Sequence, residues 1–86
     1  MNKWRVEFRP QARDELRGIP KKTAMRILAK LTDLEHDPYG RGTTALRSDP
    51  DRRRLRVGDF RVIYTLEHDR VIVWAVHIAK RDTVYS

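Results

Sequence analysis

Five arginines fall within residues 52–61: Arg52, Arg53, Arg54, Arg56 and Arg61. A guanidinium stays charged at every physiological pH, and its planar fork grips phosphate oxygens in pairs. A set of them on one surface is therefore built for a polyanion, provided that they converge. Gly58-Asp59 decides this, because a two-residue turn there fixes a hairpin register. Val57 then stands opposite Phe60, Leu55 opposite Val62 and Arg53 opposite Tyr64. Side chains alternate along a strand. One face gathers Leu55, Val57, Phe60, Val62, Tyr64 and Leu66. The other gathers Arg52, Arg54, Arg56, Arg61 and Ile63. A second tight turn at His68-Asp69 would add Val71, Val73 and Ala75 to the first face, and Ile72, Trp74, Val76 and Ile78 to the second. A slip of one residue would reverse every assignment.

Like charges held together repel, and an anion would relieve that repulsion. The alternative is a solvated basic face, its arginines paired with Asp49, Asp51, Asp59 or Glu67. Beyond the last strand lies Lys80-Arg81-Asp82-Thr83-Val84-Tyr85, adding two cations and a phenol near the end of the sheet. Chain ends fray readily, but Val84 and Tyr85 suit a packed segment better than a dangling one.

The remaining elements must hold this face in place. Residues 3–8 alternate, with Trp4, Val6 and Phe8 on one side, and read as a half-buried strand. Pro10 suits the first position of a helix that runs to Gly18. Pro20 opens a second helix, whose apolar face is Ala24, Ile27, Leu28, Leu31 and Leu34. Asp37-Pro38-Tyr39-Gly40 stops it. The short connection at residues 18–20 predicts an antiparallel helical hairpin. Residues 40–51 read as a loop in which Ala45-Leu46 is an anchor or a brief strand. Strands are expected at 52–57, 60–66 and 71–78. The order β-α-α-β-β-β predicts a single α+β domain over residues 1–86, with the helical hairpin packed on one face of a mainly antiparallel sheet.

Composition narrows the partners. Lys and Arg total 19 against 12 Asp and Glu, a net charge of +7, which points to nucleic acid first and an anionic membrane surface second. There is no cysteine, no apolar stretch after Met1-Asn2-Lys3-Trp4 and no run long enough to span a bilayer. A cytoplasmic protein is expected, with no membrane association. His36, His68 and His77 show no metal-ligand spacing, so neither a metal nor another cofactor is expected.

Two segments carry a resemblance: residues 54–64, Arg-Leu-Arg-Val-Gly-Asp-Phe-Arg-Val-Ile-Tyr, and residues 77–85, His-Ile-Ala-Lys-Arg-Asp-Thr-Val-Tyr. Val6-Glu7-Phe8 leading into Ala12-Arg13, and the Asp37-Pro38-Tyr39-Gly40 stop, support it in order and spacing. The chain resembles the RelE/ParE superfamily of toxins from type II toxin–antitoxin pairs, over nearly its whole length. The resemblance implies a RelE-like endoribonuclease that enters the ribosomal A site and cuts mRNA there without a metal. The 2′-hydroxyl attacks the neighbouring phosphate and the 5′-oxygen leaves. It also implies a RelB-like antitoxin as partner, and operator DNA binding only as a complex with that antitoxin.

Residue by residue, the resemblance assigns the catalytic set to Arg54, Arg56, Arg61, Arg81 and Tyr85, with Arg52, Arg53 and Lys80 as flanking RNA contacts. Arg61 and Arg81 would stabilise the phosphorane, while Arg54 and Arg56 would position the backbone. RelE-type sites often carry lysine where this chain has Arg54 and Arg56, and arginine is a poor acid or base. Proton transfer then falls to Tyr85 or His77. Tyr85 needs neighbouring cations to favour its phenolate, and a carboxylate at Ser86 would oppose that. The register turns His77 toward the helix-covered face, in a structural role. The competing reading is a ParE-like, non-nucleolytic inhibitor of DNA gyrase, which has the same fold without the arginine–tyrosine chemistry. A third is a protein without toxic activity that folds with its antitoxin and serves at operator DNA.

Overall fold

A computed structural model describes residues 3–80. Its elements are β1 (Arg5–Phe8), α1 (Pro10–Arg17), α2 (Lys21–Asp33), β2 (Thr43–Leu46), β3 (Asp49–Val57), β4 (Phe60–Glu67) and β5 (Ile72–Lys80). The strands form one sheet in the order β1-β5-β4-β3-β2. The β1–β5 pair is parallel and the others are antiparallel. The brief strand at Ala45-Leu46 exists, as β2, and closes the far edge of the sheet. It joins β3 through Arg47 and Ser48, both at positive φ, the backbone of a tight type I′ connection.

The two helices cover one face, as the order of elements predicts. Ala12, Ile27, Leu31 and Leu34 pack on Leu55, Val57, Val62, Tyr64, Val73, Ala75 and Ile78, with Trp4 at the margin. The α2 stripe is narrower than its sequence suggests, since Leu28 turns outward at 36% exposure, and Met25, off the expected stripe, is 59% exposed. Tyr64 is fully buried, and its hydroxyl donates to the Pro38 carbonyl. That bond anchors the loop after α2 to the middle of the sheet. Burial pushes the Tyr64 phenol above its ordinary range, which keeps it a donor.

The β3–β4 hairpin has the expected register, with Val57 opposite Phe60, Leu55 opposite Val62 and Arg53 opposite Tyr64. Gly58 takes φ +57 at the turn, where a side chain would be strained. The β4–β5 hairpin departs from expectation twice. Its turn is four residues long, His68 to Val71, since Glu67 pairs with Ile72. Two extra residues preserve parity, so Val73 and Ala75 still face the core. Then Tyr64 pairs with Ala75 while Ile63 pairs with His77, leaving Val76 as a one-residue bulge. Past the bulge every face is exchanged. Ile78, expected on the open face, enters the core at 3% exposure. His77, expected under the helices, shares the open face with Ile63.

The edge beside this bulge is finished unusually. β1 ends at Phe8, and Arg9 gives its N–H to the Ala75 carbonyl. Pro10 then has no N–H to offer and starts α1. The remainder of β5 loses its outer neighbour. Glu15 of α1 replaces it, its Oε1 accepting the Ile78 N–H at 2.8 Å.

Candidate functional site

The face away from the helices divides into two halves of different chemistry. One half is internally satisfied. The Trp74 indole donates to Glu67 at 3.0 Å, and the Arg9 guanidinium lies 3.9 Å above the Trp74 ring. Arg70 bridges to Glu67, and Arg5 to Glu7. The Arg70 and Trp74 bonds pull the Glu67 carboxyl down from 4.5 to about 2.

The other half is basic. Arg52 stands opposite Thr65, Arg54 opposite Ile63, and Arg56 directly opposite Arg61. Among the described residues, the side chains of Arg52, Arg54 and Arg56 form no ion pair or hydrogen bond. The carboxylates that would neutralise them in a merely solvated face are engaged elsewhere or apart from them. Asp51 binds Tyr39 and His68 at 2.9 and 3.0 Å, and these bonds, His68 first, lower its pKa. Asp49 accepts the Asp51 N–H, and Glu67 serves Arg70 and Trp74. Arg61 is buried to 8% exposure, the one buried charged side chain among the described residues. Arg56 and Arg61 thus place two like charges across neighbouring strands.

Two concavities open on this half. One, of about 290 Å³, is lined by Gly42, Thr43, Thr44, Arg54, Arg56 and Arg61. The other, of about 580 Å³, has an apolar floor of Leu46, Ile63, Ile78 and Ala79, with Arg54 and Arg61 at its wall. His77 and Glu15 complete its lining. Neither was expected there. Sequence parity put His77 on the wrong face, and nothing marked Glu15, which reaches the site only because β1 stops short. The His77 Nδ1 lies 2.7 Å from Glu15 Oε2. Charge for holding an anion thus sits beside an imidazole. No group of three or more His, Cys, Asp or Glu among the described residues could hold a metal.

The expected site residues sort accordingly. Arg54, Arg56 and Arg61 come together, with Arg52 beside them. Arg53 does not join them. It points to the helix side with Tyr64, donates to Thr43 and Pro50 at 3.0 and 3.2 Å, and lies over the Tyr39 ring. Its Nε is buried without a partner. Arg53 therefore ties β2 and the Tyr39 loop to β3, away from the expected RNA surface. Lys80 stands opposite Phe60 at the exposed end of β5, also off the open face. Arg81 and Tyr85 lie outside the described residues.

Comparison with known proteins places this fold. A family model described as the ParE toxin of type II toxin–antitoxin system, parDE, matches residues 6–85. No curated protein sequence matches the chain. Among solved structures, an archaeal RelE–RelB complex from Pyrococcus horikoshii superposes with a TM-score of 0.81 at 27% identity, covering 92% of this chain and 96% of that one. The isolated RelE toxin of Escherichia coli gives 0.80 at 22% identity over 95% and 90% of the two chains. A toxin–antitoxin complex from Mycobacterium tuberculosis gives 0.78 at 22% identity over 91% and 98%. Fold, element order and sequence agree: the chain belongs to the ParE toxin family of type II toxin–antitoxin systems, within the RelE/ParE superfamily.

Proposed function

We propose that this toxin is a RelE-like mRNA interferase, a metal-independent endoribonuclease that cuts mRNA in the ribosomal A site and so stops translation. The observation that carries this reading is the unpaired arginine set Arg52, Arg54 and Arg56 facing the buried Arg61 beside an apolar cavity. Attack of the 2′-hydroxyl on the adjacent phosphate produces a phosphorane with added negative charge. Fixed guanidinium groups stabilise that charge, and loss of one such donor costs about a hundredfold to a thousandfold in rate. Arg61 is held in place by burial, which suits it to the phosphorane oxygens. Arg54 and Arg56 hold the flanking backbone, and Arg52 extends the track. Arg81 and Tyr85 enter on sequence resemblance, as a further phosphate ligand and a phenol near the scissile bond.

The working protein is a single domain in the cytoplasm, with a RelB-like antitoxin as partner. Several of the similar structures are toxin–antitoxin complexes, and this chain offers a basic sheet face and an α2 surface with exposed Met25 and Leu28. An acidic, partly helical segment is the complementary partner. Operator DNA is bound only by the resulting complex.

A second reading has its own support, since the matching family model is the ParE one. On that reading the chain inhibits DNA gyrase and leaves RNA intact. Primer extension on a translated mRNA, beside a gyrase supercoiling assay, separates the two. Breaks in the mRNA with normal supercoiling support the interferase. Intact mRNA with blocked supercoiling overturns it in favour of the gyrase inhibitor.

A further inference from the structure

We propose that His77 is the general base of this site and that Glu15 is its positioning residue; the inference rests on the interferase reading above. The bulge at Val76 carries His77 out of the core parity and into the cavity that Arg54 and Arg61 line. Its side chain remains 41% exposed, so the ring is reachable from the cavity.

Glu15 fixes the ring. One carboxylate oxygen accepts the Ile78 N–H at 2.8 Å, and the other lies 2.7 Å from His77 Nδ1. The carboxylate is thus held by the strand and cannot swing away from the imidazole. The Gln11 amide stands 3.4 Å from Glu15 and 3.1 Å from Nδ1. With Nδ1–H given to Glu15, the lone pair of the neutral ring is on Nε2, which has no hydrogen-bond partner among the described residues. A carboxylate that holds one imidazole nitrogen sets the tautomer and stabilises the imidazolium once the other takes a proton.

Charged groups of both signs surround the ring: Glu15 from α1, and Arg54 from β3 and Arg61 from β4. The arginines cannot act as bases themselves, and both Glu15 oxygens are engaged by the Ile78 N–H and His77 Nδ1, so His77 Nε2 is the nitrogen placed to take a proton. A purely structural role explains the arrangement poorly. Glu15 already ties α1 to β5 through the Ile78 N–H, and a partly exposed ion pair adds little to stability.

The step balances without any oxidant, reductant or added reactant. His77 Nε2 takes the proton of the 2′-hydroxyl as the 2′-oxygen bonds to phosphorus. The bond from phosphorus to the 5′-oxygen breaks, and its electron pair stays on that oxygen, which takes a proton from water. The hydroxide so formed recovers the proton from imidazolium. The products are a 2′,3′-cyclic phosphate and a 5′-hydroxyl.

The test is single-turnover mRNA cleavage on programmed ribosomes across pH 5 to 9, an interval of about two units on each side of neutrality that brackets histidine titration. The rate for the unaltered protein should rise with pH along a limb of one deprotonation. His77→Gln should lose that limb and about a hundredfold or more in rate. Glu15→Gln should keep the limb, displaced to lower pH, because the carboxylate no longer favours imidazolium. Added imidazole should restore cleavage by His77→Ala but not by Arg61→Ala, a readout that a structural histidine would not move. If His77→Gln keeps the original rate and pH profile while Arg61→Ala is dead, His77 is not the base and the interferase reading survives. If the unaltered protein leaves mRNA intact, both fall together.

Discussion

At the scale of single residues, the side chains of Arg52, Arg54 and Arg56 carry charges that no ion pair among the described residues uses. Arg56 and Arg61 oppose each other across β3 and β4. Arg56→Ala should therefore leave urea stability unchanged or raise it by a few tenths of a kcal/mol, while lowering cleavage about a hundredfold to a thousandfold. A variant that loses stability and activity together would make Arg56 a structural residue. Tyr64 is the reverse case. Its buried hydroxyl satisfies the buried Pro38 carbonyl, so Tyr64→Phe should cost about 1–3 kcal/mol in chemical denaturation, with the arginine face intact. An unshifted denaturation midpoint would show that the carbonyl finds another donor. The arginine set was legible in the sequence because one glycine turn fixes one register, and Arg54, Arg56 and Arg61 follow from it. Arg53 was expected among the RNA contacts although the same register places it with Tyr64, on the helix side and over the Tyr39 ring.

At the scale of elements, the divergence between sequence and structure is concentrated in β5. Alternation of Val71, Val73 and Ala75 told the faces correctly up to Ala75, and two unexpected turn residues did not disturb it. The Val76 bulge did, since one inserted residue exchanges both faces. Nothing local announces it, because Ala75-Val76-His77-Ile78 satisfies either parity. What selects the bulge is tertiary: Ile78 reaches the core and Glu15 receives its N–H. Val71, at φ +57, is another feature that a β-branched residue gives no hint of. The end of this hairpin also carries a pH signature. Glu67 is held at about 2, against an ordinary 4.5, by Arg70 and Trp74. A depressed carboxyl contributes stability above 4.5 and loses it as pH falls toward about 2. Thermal melts of Glu67→Gln should show a flatter decline across that interval than the parent. Equal slopes would mean that the pair does not survive in solution.

At the scale of the whole molecule, the +7 charge is distributed with purpose. Acidic side chains neutralise the Trp74 half of the open face and leave Arg52, Arg54 and Arg56 without an ion pair among the described residues. The helices seal the opposite face, so the sheet presents one basic surface. α1 does more than cover the core, because it sends Glu15 past the short β1 to the imidazole of β5. The general architecture was legible from the order of elements and from periodicity. The junction of α1 with β5 was not, since it depends on where one strand ends rather than on any motif. The arginine half is proposed to cut RNA. Primer extension on mRNA translated by ribosomes, with folded Arg54→Ala and Arg61→Ala variants beside the unaltered toxin, measures it directly. Breaks are expected at the A-site codon with the unaltered toxin, and about a hundredfold to a thousandfold fewer with each variant. Intact mRNA, or breaks undiminished by both substitutions, would contradict it.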